Sequence, residues 1–178
     1  MTIKPQDIVV LAKLLTQKST SWSQNSMANE LCLSPSQVNS AFKRLIVAGL
    51  LTPYVPPAKP QPILQACEEF FSHALKYIFP AKLSEIARGV PTSYSGPSLK
   101  KQIVAGSDPV PVWPYGEGEE RGVALKPLYS SVPESVSKYP DPLFYDLLTL
   151  IDAIRSGRAR ERQIAIQKLS EILQSKNT

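Results

Sequence analysis

Proline placement constrains this chain more than any other feature: there are seventeen prolines in 178 residues. Proline has no N–H to give to a helix or a sheet and holds φ near one value, so long regular elements end where it clusters. Nine prolines lie from Pro91 to Pro142 and five more from Pro53 to Pro62. Long helices are thereby confined to residues 5–50, 63–79 and 142–178. Pro5, Pro35 and Pro142 do not weaken that expectation, because the first helical turn has no partner for the missing N–H.

Within these windows the apolar spacing is helical. "PQDIVVLAKLLTQK" places Ile8, Leu11, Ala12, Leu14 and Leu15 on one stripe behind an acidic first turn. Trp22 anchors the polar connection that follows, and Ser23 caps a second helix that turns Met27, Ala28 and Leu31 inward. Ser34 and Pro35 are a cap and a first-turn residue for a third helix, whose Val38, Ala41, Phe42 and Leu45 fall at i, i+3, i+4 and i+7. Gly49 suits the left-handed position that ends such a helix. A strand-like piece covers Leu50 to Tyr54, and a fourth helix over Ile63 to Ile78 has an apolar face broad enough to meet neighbours on two sides. "DPLFYDLLTLIDAIR" is capped by Asp141 and buries Leu143, Phe144, Leu147, Leu148, Ile151 and Ile154; "QIAIQKLSEILQ" continues after the interruption "SGRARER".

The stretch from Met27 to Leu45 has the spacing of two helices around a tight corner. Ala28 lets the second helix cross closely, Cys32 stands at the corner and Val38 faces back. On these residues, and above all on "SPSQVNSAFKRLIVAGLL", the chain resembles the MarR-like winged helix-turn-helix transcription regulators over about residues 5 to 80. The resemblance implies a three-helix DNA-binding unit that works as a twofold dimer on double-stranded DNA, with the third helix in the major groove. The site it implies begins with Ser34, which starts the helix. Gln37 and Asn39 have amides that suit adenine, Ser36 and Ser40 can meet bases or phosphates, and Lys43 and Arg44 are set for the backbone. The sequence departs from that family in two places: Cys32 stands where glycine is usual, and the prolines from Pro53 to Pro62 bar a regular hairpin wing, leaving Lys59 as its cation.

Residues 80–140 form a proline-rich extension with no room for a long helix. "VPVWP" and "RGVALKPLY", joined by the acidic turn "YGEGEE", are expected to pair as one short hairpin of edge strands. "RGVPTSYSGPSL" reads as a capped loop, with Thr92, Ser93 and Tyr94 as the residues that would line a groove. The expected fold is therefore mainly α: a winged helix-turn-helix-like domain (1–79), the extension with its hairpin (80–140), and C-terminal helices (141–178) that pack or dimerise. The wide faces of the fourth helix and of Leu143 to Ile154 are the dimer candidates.

Charge and motif content narrow the function. Residues 1–60 hold six basic and two acidic side chains, while the remaining 118 hold fourteen and thirteen, so the basic excess sits beside the corner and favours an anionic partner. Arg155, Arg158, Arg160 and Arg162 make a second compact basic group, suited to bidentate phosphate contacts or to pairing with nearby acids. Cys32 and Cys67 lack metal or disulfide spacing and read as reduced core thiols. No nucleophile elbow, zinc-helix motif or phosphate loop occurs, and the single histidine, His73, lies among aromatic residues. No metal, cofactor or catalysis is implied. With no apolar run or leader pattern, the expected compartment is the cytoplasm. The expected function is that of a DNA-binding repressor. The rival reading is an antitoxin-like or accessory module whose residues 80–178 bind and restrain a partner protein.

Overall fold

The computed structural model describes residues 1–177. The chain is mainly helical with a small three-stranded sheet. Helices α1 (Pro5–Thr16), α2 (Gln24–Glu30) and α3 (Pro35–Val47) form the first unit. Ser23 and Ser34 both cap as their positions require, each accepting a hydrogen bond from the backbone three residues on, Ser26 N and Gln37 N. Between α2 and α3, Leu33 N donates to Ala28 O at 2.9 Å and Cys32 takes φ 53°, the left-handed angle that the corner demands. Trp22 stacks on Phe42 with ring centroids 5.4 Å apart.

Helix α1 departs from a one-sided stripe, since every residue from Asp7 to Thr16 is buried. Val9 and Val10, off the predicted stripe, are fully enclosed because α3 packs on one side and α7 (Pro142–Ser156) on another. The expected dimer face of α7 is thus consumed inside the chain: Phe144, Leu147, Leu148, Ile151 and Ile154 are all core residues. Helix α4 (Leu64–Glu69) runs through a π-helical turn (Phe70–Ala74) into α5 (Leu75–Ile78), burying Cys67, Phe71 and Leu75 but leaving Tyr77 and Ile78 exposed. The last helix, α8 (Ala159–Gln174), packs on α7 and α4. All the described buried apolar side chains except Val112 and Ala124 of the sheet join one cluster from Ile8 to Leu173, spanning all three expected segments.

The extension is more regular than its prolines imply. Strand β1 (Leu83–Pro91), not anticipated from the sequence, pairs antiparallel with both β2 (Pro111–Pro114) and β3 (Glu120–Leu125). β2 and β3 are parallel to each other, Pro111 opposite Val123, so the expected hairpin is absent and the three strands close into a small barrel. Closure removes the free edges to which the prolines would have confined these strands. The barrel is narrow enough to require glycine, since a Cβ on Gly89 would run into the Trp113 carbonyl. A short helix, α6 (Val132–Lys138), follows, and Ser135 Oγ donates to Glu30 O at 2.6 Å, tying it to the end of α2.

Three charged clusters join these parts. Arg44 grips the fully buried Asp7 through two hydrogen bonds, Nε to Oδ2 at 2.7 Å and Nη2 to Oδ1 at 2.6 Å. Lys13 reaches Asp141 at 2.8 Å and Glu30 at 2.7 Å, with its ammonium 5.1 Å from the Phe144 ring centre. Asp152, also buried, accepts from Thr92 Oγ1 (2.7 Å), Trp113 Nε1 (2.6 Å) and Arg155 Nη1 (2.7 Å), fastening the barrel to α7. Burial pulls the Asp152 carboxyl up from its ordinary value, against the opposing pull of Arg155, Thr92 and Trp113.

Candidate nucleic-acid interface

The solvent face of α3 divides sharply. Ser36, Asn39, Ser40 and Lys43 are exposed, and among the described residues no ion pair or bond to another element engages them; Ser36 touches only Ser34, Oγ to Oγ at 3.0 Å. Their neighbours on the same helix are committed elsewhere. Gln37 Oε1 accepts from Ser34 N at 2.8 Å and its Nε2 donates to Tyr129 Oη at 2.9 Å, so both ends of the amide are occupied. Ser34 Oγ caps the helix by accepting from Gln37 N at 3.2 Å. Arg44, expected to meet DNA backbone, instead serves the buried Asp7, and that partner holds its guanidinium pKa above the ordinary value.

The loop beyond α3 is pinned by a few backbone hydrogen bonds and isolated bridges rather than by a regular hairpin. Thr52 N donates to Gln61 O at 2.8 Å and Ile63 N to Leu50 O at 2.9 Å, with bridges at Leu51–Pro62 and Val55–Ala58. Its tip carries the cis Pro56–Pro57 bond and exposes Tyr54 and Val55. Lys59 is not available at this tip. Its ammonium donates to the carbonyls of Thr20 and Trp22 and lies 4.8 Å from the Trp22 ring centre. This loop therefore has its one lysine committed within the protein.

The C-terminal arginines likewise fail to form one patch. Arg155 is nearly buried, donating to Asp152 and, through Nε, to Phe79 O at 2.7 Å. Arg162 donates to the carbonyls of Ile154 (3.2 Å) and Gly157 (3.1 Å), closing the α7–α8 corner. Only Arg158 and Arg160 are exposed, and Arg158 lies 3.9 Å from Asp108. Thr92 is buried in the core rather than lining a groove, whereas Ser93, also buried and with its Oγ 3.3 Å from Ser156 Oγ, does line one. Tyr94 does line a cavity of about 360 Å³, beside Arg158, Glu161, Leu83 and Ile86.

Sequence reasoning missed Tyr129, Lys82 and Lys126, which structure brings next to the first unit: Tyr129 through Gln37, and the lysines through grooves that Pro5 also lines. No local periodicity marks them, because their neighbours are set by the sheet register. Both cysteines are free, and burial pushes the Cys67 thiol up to about 12, so it is inert as a nucleophile. His73 is exposed on the π-helical turn. Among the described residues no group of three or more His, Cys, Asp or Glu is arranged to hold a metal ion, and no helix is long and apolar enough to cross a membrane. Comparison with protein families, curated proteins and solved structures finds no match for this chain.

Proposed function

We propose that the protein is a sequence-specific DNA-binding regulator, a repressor acting by occupancy, whose α2–α3 pair is a helix-turn-helix and whose α3 enters the major groove. The observation that carries this reading is the split face of α3. Uncharged hydrogen-bonding groups, Ser36, Asn39 and Ser40, stand together with Lys43 on a rigid, capped helix and have, among the described residues, no partner on another element. A helix that reads base edges needs such uncommitted donors and acceptors, since a group already satisfied within the protein gains little from a base. The roles differ from those expected from the resemblance alone. Asn39 takes the adenine-type contact and Lys43 the backbone; Gln37 and Arg44 hold α3 in place.

The test is a mobility-shift titration with DNA from upstream of the protein's own gene, repeated over a salt series. A shift that weakens steeply with salt is expected, with Asn39→Ala losing affinity at one base position and Lys43→Ala losing it on every sequence. Absence of any shift at low salt sinks the reading.

A second reading, a module that restrains a partner protein, has one observation in its favour. The barrel's Leu83 and Ile86 and, from the loop before β2, the 97 % exposed Val104 stand around the 360 Å³ cavity. Apolar side chains gathered in this way mark protein contacts more often than nucleic-acid ones. A stoichiometric protein retained by the native chain from its own cell, and lost with Leu83→Asp/Ile86→Asp, is the outcome that distinguishes it.

A further inference from the structure

The loop beyond α3 has its one lysine committed within the protein, yet two adjoining grooves on the extension have free cations. One, of about 720 Å³, is lined by Gln6, Ser84, Lys126, Tyr129 and Ser130. The other, of about 240 Å³, shares Pro5, Lys126, Pro127 and Leu128 with it and adds Lys82 and Arg155. Among the described residues no aspartate or glutamate lines either groove. Arg155 is already spent on Asp152, so the free cations are Lys82 and Lys126, both exposed and neither in an ion pair among the described residues. The exposed Lys4 directly precedes Pro5.

The sheet register gives these two lysines a further property. Lys126 N donates to Lys82 O at 3.2 Å, one step beyond the Leu83–Leu125 pair, so two ammonium-bearing chains stand opposite each other across the end of the β1–β3 ladder. Like charges facing across a ladder are destabilising, and an anion placed between them relieves that repulsion. Tyr129, on the wall of the larger groove, is hydrogen-bonded to Gln37 of α3. The larger groove therefore adjoins α3 on its Gln37 side, flanking the face that carries Asn39 and Lys43.

Resting on the DNA-binding reading, we propose that these grooves hold the phosphodiester backbone of the same duplex that α3 reads, with Lys82 and Lys126 as phosphate ligands. The extension then makes the backbone contact that the loop beyond α3 cannot. Lysine suits this task, since a compact ammonium on a flexible stem meets a phosphate without demanding bidentate geometry. The contact carries no base information, so it raises affinity on all sequences alike.

The experiment is fluorescence anisotropy with a labelled duplex from the upstream region, titrated across a potassium chloride series. It compares the native chain, Lys43→Ala, Lys82→Ala/Lys126→Ala, and Lys100→Ala/Lys101→Ala, the last pair being exposed lysines outside both grooves. The groove variant is expected to reduce the slope of log affinity against log salt by about 2. It should bind about tenfold or more weakly near 0.1 M salt, by the same factor on an unrelated duplex. Its Tm should equal or exceed that of the native chain, because one like-charge pair is gone; Lys82→Gln/Lys126→Gln repeats the measurement with the side-chain length kept. The Lys100→Ala/Lys101→Ala chain should keep the native slope. If the groove variants keep the native slope while Lys43→Ala weakens binding, the groove assignment is overturned and the α3 reading stands. If the native chain binds no duplex at low salt, both fall together.

Discussion

At the scale of single residues, adjacent positions with the same charge do opposite jobs. Lys43 is exposed and Arg44 is drawn inward onto Asp7. Removing Arg44 leaves a carboxylate in a site with 0 % side-chain exposure and no cation beside it. An uncompensated buried charge of this kind costs about 3–5 kcal/mol. Arg44→Ala is thus expected to lower the urea midpoint sharply and to lose the proposed DNA binding only through unfolding, whereas Lys43→Ala should leave the stability within about 0.5 kcal/mol of native. Pairing Arg44→Met with Asp7→Leu should recover most of the loss, since neither charge is then stranded. Equal midpoints for Arg44→Ala and the native chain would show that the pair does not bear on folding. Nothing in the local sequence separates these two residues, because the partners that decide their roles lie far away: Asp7 is 37 positions back, and Tyr129, which claims Gln37, is 92 positions ahead. Helical periodicity assigns a residue to the polar face but does not say what the face meets.

At the scale of elements, the helices were legible from caps and spacing while the sheet was not. Ser23, Ser34 and Asp141 all accept the backbone N–H groups their positions predicted, and the boundary of α3 follows from Ser34 and Pro35 at one end and Gly49, at φ 76°, at the other. β1 escaped notice because its register shifts between Leu83 and Ile86, which breaks the alternation that marks a strand. β2 and β3 were recognised as strands, but alternation does not name the partner; β1 lies antiparallel to both, and they run parallel. The corner at Cys32 permits a direct check. An L-residue at φ 53° gives up roughly 1–2 kcal/mol that glycine would not, offset in part by the greater freedom of glycine when unfolded. Cys32→Gly should therefore match or exceed native stability by about 1 kcal/mol, while Cys32→Val, β-branched at a positive φ, should lose at least as much. Calorimetry on the two variants settles it; a stable Cys32→Val chain would mean that the corner has moved.

At the scale of the molecule, the first unit and the C-terminal helices share one interior. Helix α1 is buried from Asp7 to Thr16 and packs on α7 as well as on α3, so a fragment of residues 1–79 is expected to expose part of it, bind a hydrophobic dye and melt without a cooperative transition. The same interior sets the response to pH through Lys13 and Asp141. Burial alone would lower the Lys13 ammonium, but hydrogen bonds to Asp141 and Glu30 carry its pKa above the ordinary value; its share of the stability is complete below the unfolded pKa near 10.4 and is lost as pH rises through the folded one. Burial works to raise the Asp141 carboxyl, yet Lys13 and the Phe144 backbone N–H hold it below the ordinary value. Its share is therefore complete above the unfolded pKa near 3.9 and is lost as pH falls through the folded value. Asp141 also caps α7, so protonation loosens that helix and its grip on α1 in one step. Asp141→Asn keeps the cap, because asparagine accepts the Phe144 N–H as well, but removes the charge opposite Lys13. The native chain should thus lose Tm steeply below about pH 4, and Asp141→Asn should start lower at neutral pH and fall less over the same interval. Parallel Tm curves for the two chains between pH 7 and pH 2 would show that acid stability is lodged in other carboxylates and that the Lys13 cluster does not hold α7 to the first unit.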